Sequence, residues 1–140
     1  MTTAAAGTEP GVITKVSPRP VAATVARLKE LIAGKSMRLF AVIDQRAAAR
    51  EAGLDLRETS LVIFGSPAGG TAIMDAAPLA ALDLPLRVLI WADGDQVKVS
   101  YYAPETLGSR HGLGPDLVAR LAGIGPLRSE ERRVGKECLE

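Results

Sequence analysis

Four apolar segments between residues 40 and 113 each run into a short loop rich in Asp, Gly and Pro, and this pattern constrains the fold most strongly. The segments span residues 40–44, 61–67, 81–85 and 101–104. Short apolar runs bounded by turn residues are typical of strands. Loops at strand ends are where compact domains build pockets. None of the four loops carries the residue set of a known reaction.

The length and composition predict one globular domain. The chain has 140 residues, of which 47% are hydrophobic and 24% are charged, and these values fit a single domain with a true core. We expect residues 1–10 to be a disordered leader and residues 11–127 to form the domain. Residues 128–138 are densely charged and resemble a translated sequencing adapter. We therefore interpret residues 128–140 as a non-native tail on a bacterial gene from metagenomic reads.

Charge and hydropathy exclude several functions. A formal net charge of +1 provides no basic field of the kind that nucleic-acid binding requires. No apolar run reaches the roughly 18 to 20 residues that span a bilayer, and the N-terminus lacks the layout of a signal peptide. We predict a cytoplasmic protein that binds neither nucleic acid nor membrane.

The chain has few of the cysteine and histidine side chains that commonly bind metal ions, which argues against a metal centre. The only cysteine is Cys138, in the tail, and the only histidine is His111. Thiolate catalysis, cysteine metal sites and multi-histidine sites are therefore excluded for the body of the chain. We predict no metal and no cofactor.

The first half of the domain alternates strands and helices. Residues 12–16 form a predicted strand. Val21, Val25, Leu28 and Ile32 then recur at helical spacing, which puts them on one face of a helix that ends at Gly34. Residues 37–43 are apolar on both faces, so we predict a central strand with packing on each side. A short helix follows at residues 47–52.

The second half of the domain ends in a hairpin and short helices. A strand at residues 60–64 precedes a predicted glycine-rich loop at 65–71 and helical turns at 73–77 and 79–82. Strands at 87–91 and 97–102 flank residues 92–95, whose Asp-Gly step indicates an antiparallel hairpin. Short helices at 107–111 and 116–122 close the chain. We predict an α+β fold: a mixed or antiparallel sheet of about five strands with helices mainly on one face.

A series of short motifs through the middle of the chain follows a known family pattern. They read Phe40-Ala41-Val42-Ile43-Asp44, Ala52-Gly53-Leu54, Phe64-Gly65-Ser66-Pro67, Leu82-Asp83-Leu84-Pro85-Leu86 and Tyr102. Over about residues 12–113 the chain resembles the domain of unknown function 302 family. The resemblance implies a small α+β domain, a homodimer and no established activity. Gln45 and Ser66 depart from the His and Asn often found there, so a site that uses that His is absent here.

Two candidate regions lie beside predicted strands. Asp44, at a strand-to-helix junction, is either a helix N-cap or a site carboxylate. The segment from Gly65 to Thr71, which includes Ser66 and Gly70, either binds an anion through backbone amides or is a structural turn. Its spacing matches neither a phosphate-binding loop nor a nucleophile elbow.

The remaining candidates are single polar side chains. Asp83 shapes the turn into the next strand or faces a ligand. Arg57 binds an anion or forms a surface ion pair, and only one of Tyr101 and Tyr102 can face the core. His111 is a lone general base or a residue at a helix end.

Three functions remain open from the sequence. In the first, loops around Asp44, residues 65–71 and Asp83 converge on one pocket for a small polar or anionic ligand. In the second, Asp44 or His111 transfers a proton in an enzyme while Arg57 or the glycine loop holds an oxyanion. In the third, the domain has a structural or partner-binding role and no ligand. We favour the first, with these ligand-binding residues: Asp44, Arg57, Gly65, Ser66, Gly70, Thr71, Asp83 and Tyr102.

Overall fold

A five-stranded antiparallel sheet organises the protein, whose computed structural model describes residues 9–123. Residues 1–8 of the predicted leader and the whole predicted tail lie outside the described residues. The strand order is β1-β5-β4-β3-β2, and every neighbouring pair is antiparallel. The strands are β1 (Val12–Ser17), β2 (Arg38–Asp44), β3 (Thr59–Gly65), β4 (Leu86–Asp93) and β5 (Gln96–Tyr102).

Within residues 9–123, five α-helices and one 3-10 helix connect the strands or follow them. The predicted α+β class, the β4–β5 hairpin and the short closing helices are all confirmed. The helices are α1 (Val21–Gly34), α2 (Gln45–Glu51), α3 (Pro67–Ala76), the 3-10 helix Pro78–Leu82, α4 (Pro104–His111) and α5 (Pro115–Gly123).

The main core lies between α1 and one face of the sheet. Leu28 and Ile32 of α1 are buried, as the helical spacing predicts, and they pack in one cluster with Val62, Val88 and Ile90 of the central strands. Alternate residues of a strand point to opposite faces. One helix can therefore cover only half of the side chains of β3, β4 and β5.

A second, smaller core holds the C-terminal helices together. Ile73 of α3, Ala80 of the 3-10 helix, Leu107 of α4 and Leu121 of α5 are buried against one another. Leu86, the first residue of β4, packs against both clusters. The C-terminal helices are thereby fixed at the end of the sheet where β4 begins.

Two predictions from the sequence are wrong. The strand predicted to be central is β2, which lies at the edge of the sheet with Phe40 and Val42 exposed by 46% and 40%. The predicted loop at 65–71 is mostly helix, because Ser66 caps the backbone N–H of Gly69 and Pro67 occupies the first turn of α3. Apolar residues on both faces of β2 thus do not reflect packing on both sides within one chain.

Candidate functional site

The face of the sheet opposite α1, here called the open face, is only partly covered. The strand registers place Leu61, Leu89, Ser100 and Thr14 side by side across four strands on this face. Leu61 and Leu89 are only half-buried, although apolar side chains in the middle of a sheet are usually covered. An apolar surface with neighbouring polar groups is therefore available for binding.

A cleft of about 430 Å³ lies on the open face. Its apolar residues come from β1, β3 and β4, and its polar atoms come from glutamate, arginine, serine and tyrosine side chains. Small-molecule sites commonly combine an apolar lining with a few polar groups. The lining residues are Glu9, Val12, Leu61, Arg87, Leu89, Trp91, Ser100, Tyr101 and Tyr102.

Trp91 is held in place at one end of the cleft by polar contacts. Its indole N–H donates to the Ser100 hydroxyl over 3.0 Å, and Ser100 in turn lies 2.8 Å from the Thr14 hydroxyl. The Lys98 ammonium and the Arg57 guanidinium lie 5.6 and 6.0 Å from the centre of the indole ring. These distances fit cation–π interactions.

Asp93 pairs with both cations that lie over Trp91. The Lys98 ammonium is 2.6 Å and the Arg57 guanidinium 3.7 Å from its carboxylate. The hydrogen bond from Lys98 is the largest cause that lowers the pKa of Asp93, and with the charges of Lys98 and Arg57 it outweighs the opposing effect of burial. Arg57 therefore forms an ion pair on the surface and contacts Trp91 as well.

At the other end of the cleft, Asp83 is the centre of a cluster of basic side chains. Its carboxylate lies 2.5 Å from His111 Nε2, 3.0 Å from Arg110 and 3.3 Å from Arg87. Burial disfavours the charged carboxylate, but the hydrogen bonds and charges of His111 and Arg110 outweigh it and lower the pKa of Asp83. The carboxylate joins the loop before β4 to the end of α4.

Arg110 and Arg87 connect this cluster to the cleft. The Arg110 guanidinium lies 5.3 Å from the centre of the Tyr102 ring, and Tyr102 lines the cleft. Arg87 lines the cleft directly while it contacts Asp83. Both guanidinium groups remain about two-fifths exposed, so they are accessible to a ligand.

The sequence-predicted site residues fall into two groups at opposite ends of the sheet. Asp44 lies opposite Ser60 at one end, whereas Gly65 lies opposite Arg38 at the other. The expectation that these loops converge on one pocket is therefore wrong. Consecutive antiparallel strands run in opposite directions, so the segments that follow β2 and β3 leave the sheet at different ends.

Several candidates have a visible structural role. The Asp44 carboxylate caps α2 through the backbone N–H of Ala47 at 2.9 Å, and it borders a separate cleft of about 340 Å³ beside α1. Thr71 donates its hydroxyl to the Pro67 carbonyl. Gly70 is buried within α3. None of these residues lines the open-face cleft.

Asp83, Tyr102 and His111 lie together at the other end of the sheet. Tyr102 lines the cleft and Asp83 holds the two arginines at its margin, as described above. The His111 side chain is only 9% exposed and packs beside Leu84 and Leu107. A side chain so enclosed has little access to a substrate, which favours a structural pairing with Asp83.

Sequence reasoning missed Arg87, Trp91 and Arg110. A signal for two of them was present in the sequence. Arg87, Leu89 and Trp91 occupy alternate positions along β4, so their side chains must lie on the same face of the sheet. Arg110 carries no such signal, since its contact with Asp83 joins positions 27 residues apart.

Within residues 9–123, no group of three or more His, Cys, Asp or Glu side chains is arranged to hold a metal ion. In the same part of the chain, every helix is too short or too polar to cross a membrane.

The fold and cleft define a class: a small α+β domain with one sheet face covered by a helix and the other largely open. The chain belongs to the family "domain of unknown function DUF302", whose model matches residues 13–124. The crystal structure of an uncharacterised conserved DUF302 protein from Bacillus stearothermophilus has the same fold. Its TM-score is 0.75 at 14% identity, over 93% of this chain and 99% of that one.

Curated relatives carry a more specific name. The chain is 40% identical over 105 residues to "Fluoride-specific ion channel FluC 1" of Brucella suis, a match that covers 74% of this chain and 41% of that protein. The protein of the same name from Brucella abortus matches with 40% identity over 39% of its length. The chain thus spans about two fifths of the curated relatives it matches.

Replacing Asp83 should change the acid stability of the protein. Because the pKa of Asp83 is lowered by folding, its contribution to stability is complete above the ordinary value of 3.8 and is lost as pH falls through the lower folded value. We expect Asp83→Asn to lower the free energy of unfolding at pH 7 and to flatten its decline below about pH 4. Urea unfolding between pH 2.5 and 7 measures both.

Asp55→Asn, at an exposed loop position, is the matched control and should leave the profile unchanged. An Asp83→Asn profile parallel to that of the unmodified protein would contradict the assignment.

Proposed function

We propose that this domain is a binding module for a small ligand in the cleft on the open face. The observation that carries the proposal is the combination of an uncovered apolar strip, Leu61 and Leu89, with Arg87 and Tyr102 beside it. The volume of about 430 Å³ is within the range of small-molecule sites. We keep the hypothesis of a small polar ligand from the sequence analysis, but we propose a site on a face of the sheet and not among converging loops.

The way Trp91 and Ser100 are held supports this proposal. Hydrogen bonds and cation–π contacts fix both side chains before any ligand arrives. A site formed in advance loses less conformational entropy on binding than one that must be ordered.

Filling the cleft should abolish binding. We expect the full chain, mixed with a bacterial small-molecule extract and examined by native mass spectrometry, to retain a stoichiometric adduct. Leu61→Phe adds bulk inside the cleft and should remove that adduct, whereas Leu79→Phe, at a position 72% exposed and outside the cleft, should keep it. Matching circular dichroism spectra exclude misfolding as the cause. Adducts of equal intensity on both variants, or none on the unmodified chain, would count against the cleft.

We also propose that the protein is a homodimer that pairs through β2. Among the described residues this strand pairs on one side only, and its residues 39–43 are all apolar, without the Lys and Pro that usually protect such edges. Pairing of two copies would join the sheets and bury these side chains. They are Leu39, Phe40, Val42 and Ile43, which are 37% to 46% exposed.

A charge on this edge should separate the subunits. Val42→Lys places an ammonium group where the partner strand would pack, so we expect a monomer in native mass spectrometry and light scattering. Leu79→Lys, which introduces the same charge on the 3-10 helix, should remain dimeric. A monomeric unmodified protein, or a dimeric Val42→Lys variant, would refute pairing through β2.

A second candidate function is that of a cytoplasmic accessory domain beside a fluoride channel. Its support is the 40% identity to part of two Brucella proteins that carry the fluoride-channel name. In this role the domain would contact the remainder of such a protein.

This role can be tested by complementation. We expect the full chain to co-purify with the Brucella suis protein from which the matching segment has been removed, and to alter its fluoride efflux from liposomes. An unrelated protein of similar size is the control. Efflux identical with and without the chain, in the absence of co-purification, would eliminate the candidate.

A further inference from the structure

The charges at one end of the open-face cleft identify the chemical class of its ligand. We propose that Arg87 and Arg110 form a clamp for the carboxylate of a small monoanion whose flat apolar body lies along the cleft. This inference rests on the proposed binding function and adds to it the nature of the ligand.

Two cations share one carboxylate at this end. Arg87 approaches one oxygen of Asp83 through a single nitrogen, and Arg110 approaches the other oxygen through a single nitrogen. A guanidinium has five N–H donors in a planar fork that matches a carboxylate. Two guanidinium groups around one carboxylate leave one positive charge uncompensated, and each guanidinium has more N–H donors than the one it gives to Asp83.

The two arginines are held close to each other and to the cleft. Since both contact Asp83, they lie on either side of one carboxyl group. Arg87 starts from β4 and lines the cleft, whereas Arg110 starts from α4 and lies over Tyr102, which also lines it. A ligand carboxylate at the Tyr102 end would therefore meet positive charge from two elements of the fold.

The rest of the cleft favours a flat apolar body. From Arg87 the β4 side chains on this face continue to Leu89 and Trp91, and Leu61 lies beside Leu89 in the adjacent strand. Leu61 and Leu89, both half-buried, supply the apolar floor of the cleft, and the buried Trp91 closes the end away from Arg87. A ring placed along this floor would bury apolar area while the charged head remains at the arginines.

Glu9 limits how much negative charge the site accepts. It is exposed and is the one carboxylate among the described residues that line the cleft. It would repel a second charge on the ligand, so a monoanion fits better than a phosphate or a dicarboxylate. Water and salt screen an exposed charge of this kind, which is why it weakens anion binding without preventing it.

Benzoate and benzyl alcohol are matched probes, since they share a ring and differ in charge. Trp91 is the only tryptophan, so its indole N–H gives a single NMR signal that reports directly from the cleft. We expect benzoate to shift this signal saturably and to bind at least about ten-fold more tightly than benzyl alcohol, as a charged hydrogen bond contributes.

Variants of the clamp separate charge from shape. Arg87→Gln and Arg110→Gln should each weaken benzoate about ten-fold and leave benzyl alcohol unchanged. Glu9→Gln should tighten benzoate, and Arg50→Gln, at an exposed position on α2, should do nothing. Circular dichroism spectra that match the unmodified protein would show that each variant keeps the fold.

The outcomes distinguish the two proposals. Equal affinity for both probes, or benzoate binding unaffected by Arg87→Gln and Arg110→Gln, overturns the clamp and leaves the binding module standing. A Trp91 signal that neither probe moves, together with no adduct from the extract, overturns both. A dimer that covers Trp91 and excludes both probes would also overturn both, and hydrogen exchange of the indole N–H would reveal it.

Discussion

The rest of the structure depends on how a single helix covers a five-stranded antiparallel sheet. Packing of α1 buries Leu28 and Ile32 against β3 and β4, and strand alternation sends the neighbouring side chains to the opposite face. The same packing that stabilises the domain therefore leaves Leu61 and Leu89 only half-covered. The cleft is a direct consequence of this arrangement.

The C-terminal helices turn an uncovered sheet face into a chemically distinct site. Their small core fixes α4 at the end of the sheet, and Asp83 holds Arg110 and His111 of that helix beside Arg87 of β4. Without this carboxylate, the two guanidinium groups would repel each other. Asp83 is thus a positioning residue: Arg87 beside it lines the cleft, and Arg110 beside it lies over Tyr102, which lines the cleft.

Sequence reasoning recovered the local features better than the site. The spacing of Val21 and Leu28, the Asp-Gly step of the hairpin and the capping option for Asp44 each depend on residues close in the chain, and the structure bears them out. The prediction of a pocket shared by Asp44 and Gly65 was wrong because antiparallel strand direction places them at opposite ends of the sheet. The edge position of β2 was also not predicted. Apolar side chains on both faces of a strand indicate that both faces are covered, but they do not indicate whether another part of the same chain covers them.

The sequence alone determined the α+β class, most element positions, the family and the exclusion of a multi-histidine or cysteine metal site in the body. These follow from residue type and short-range periodicity, which act within a few positions of the chain. The tertiary structure alone decided which face stays open and which charges meet on it. The Arg110 contact with Asp83 spans 27 positions and the Thr14 contact with Ser100 spans 86, and contacts of that range arise only when strand order and register bring distant segments together.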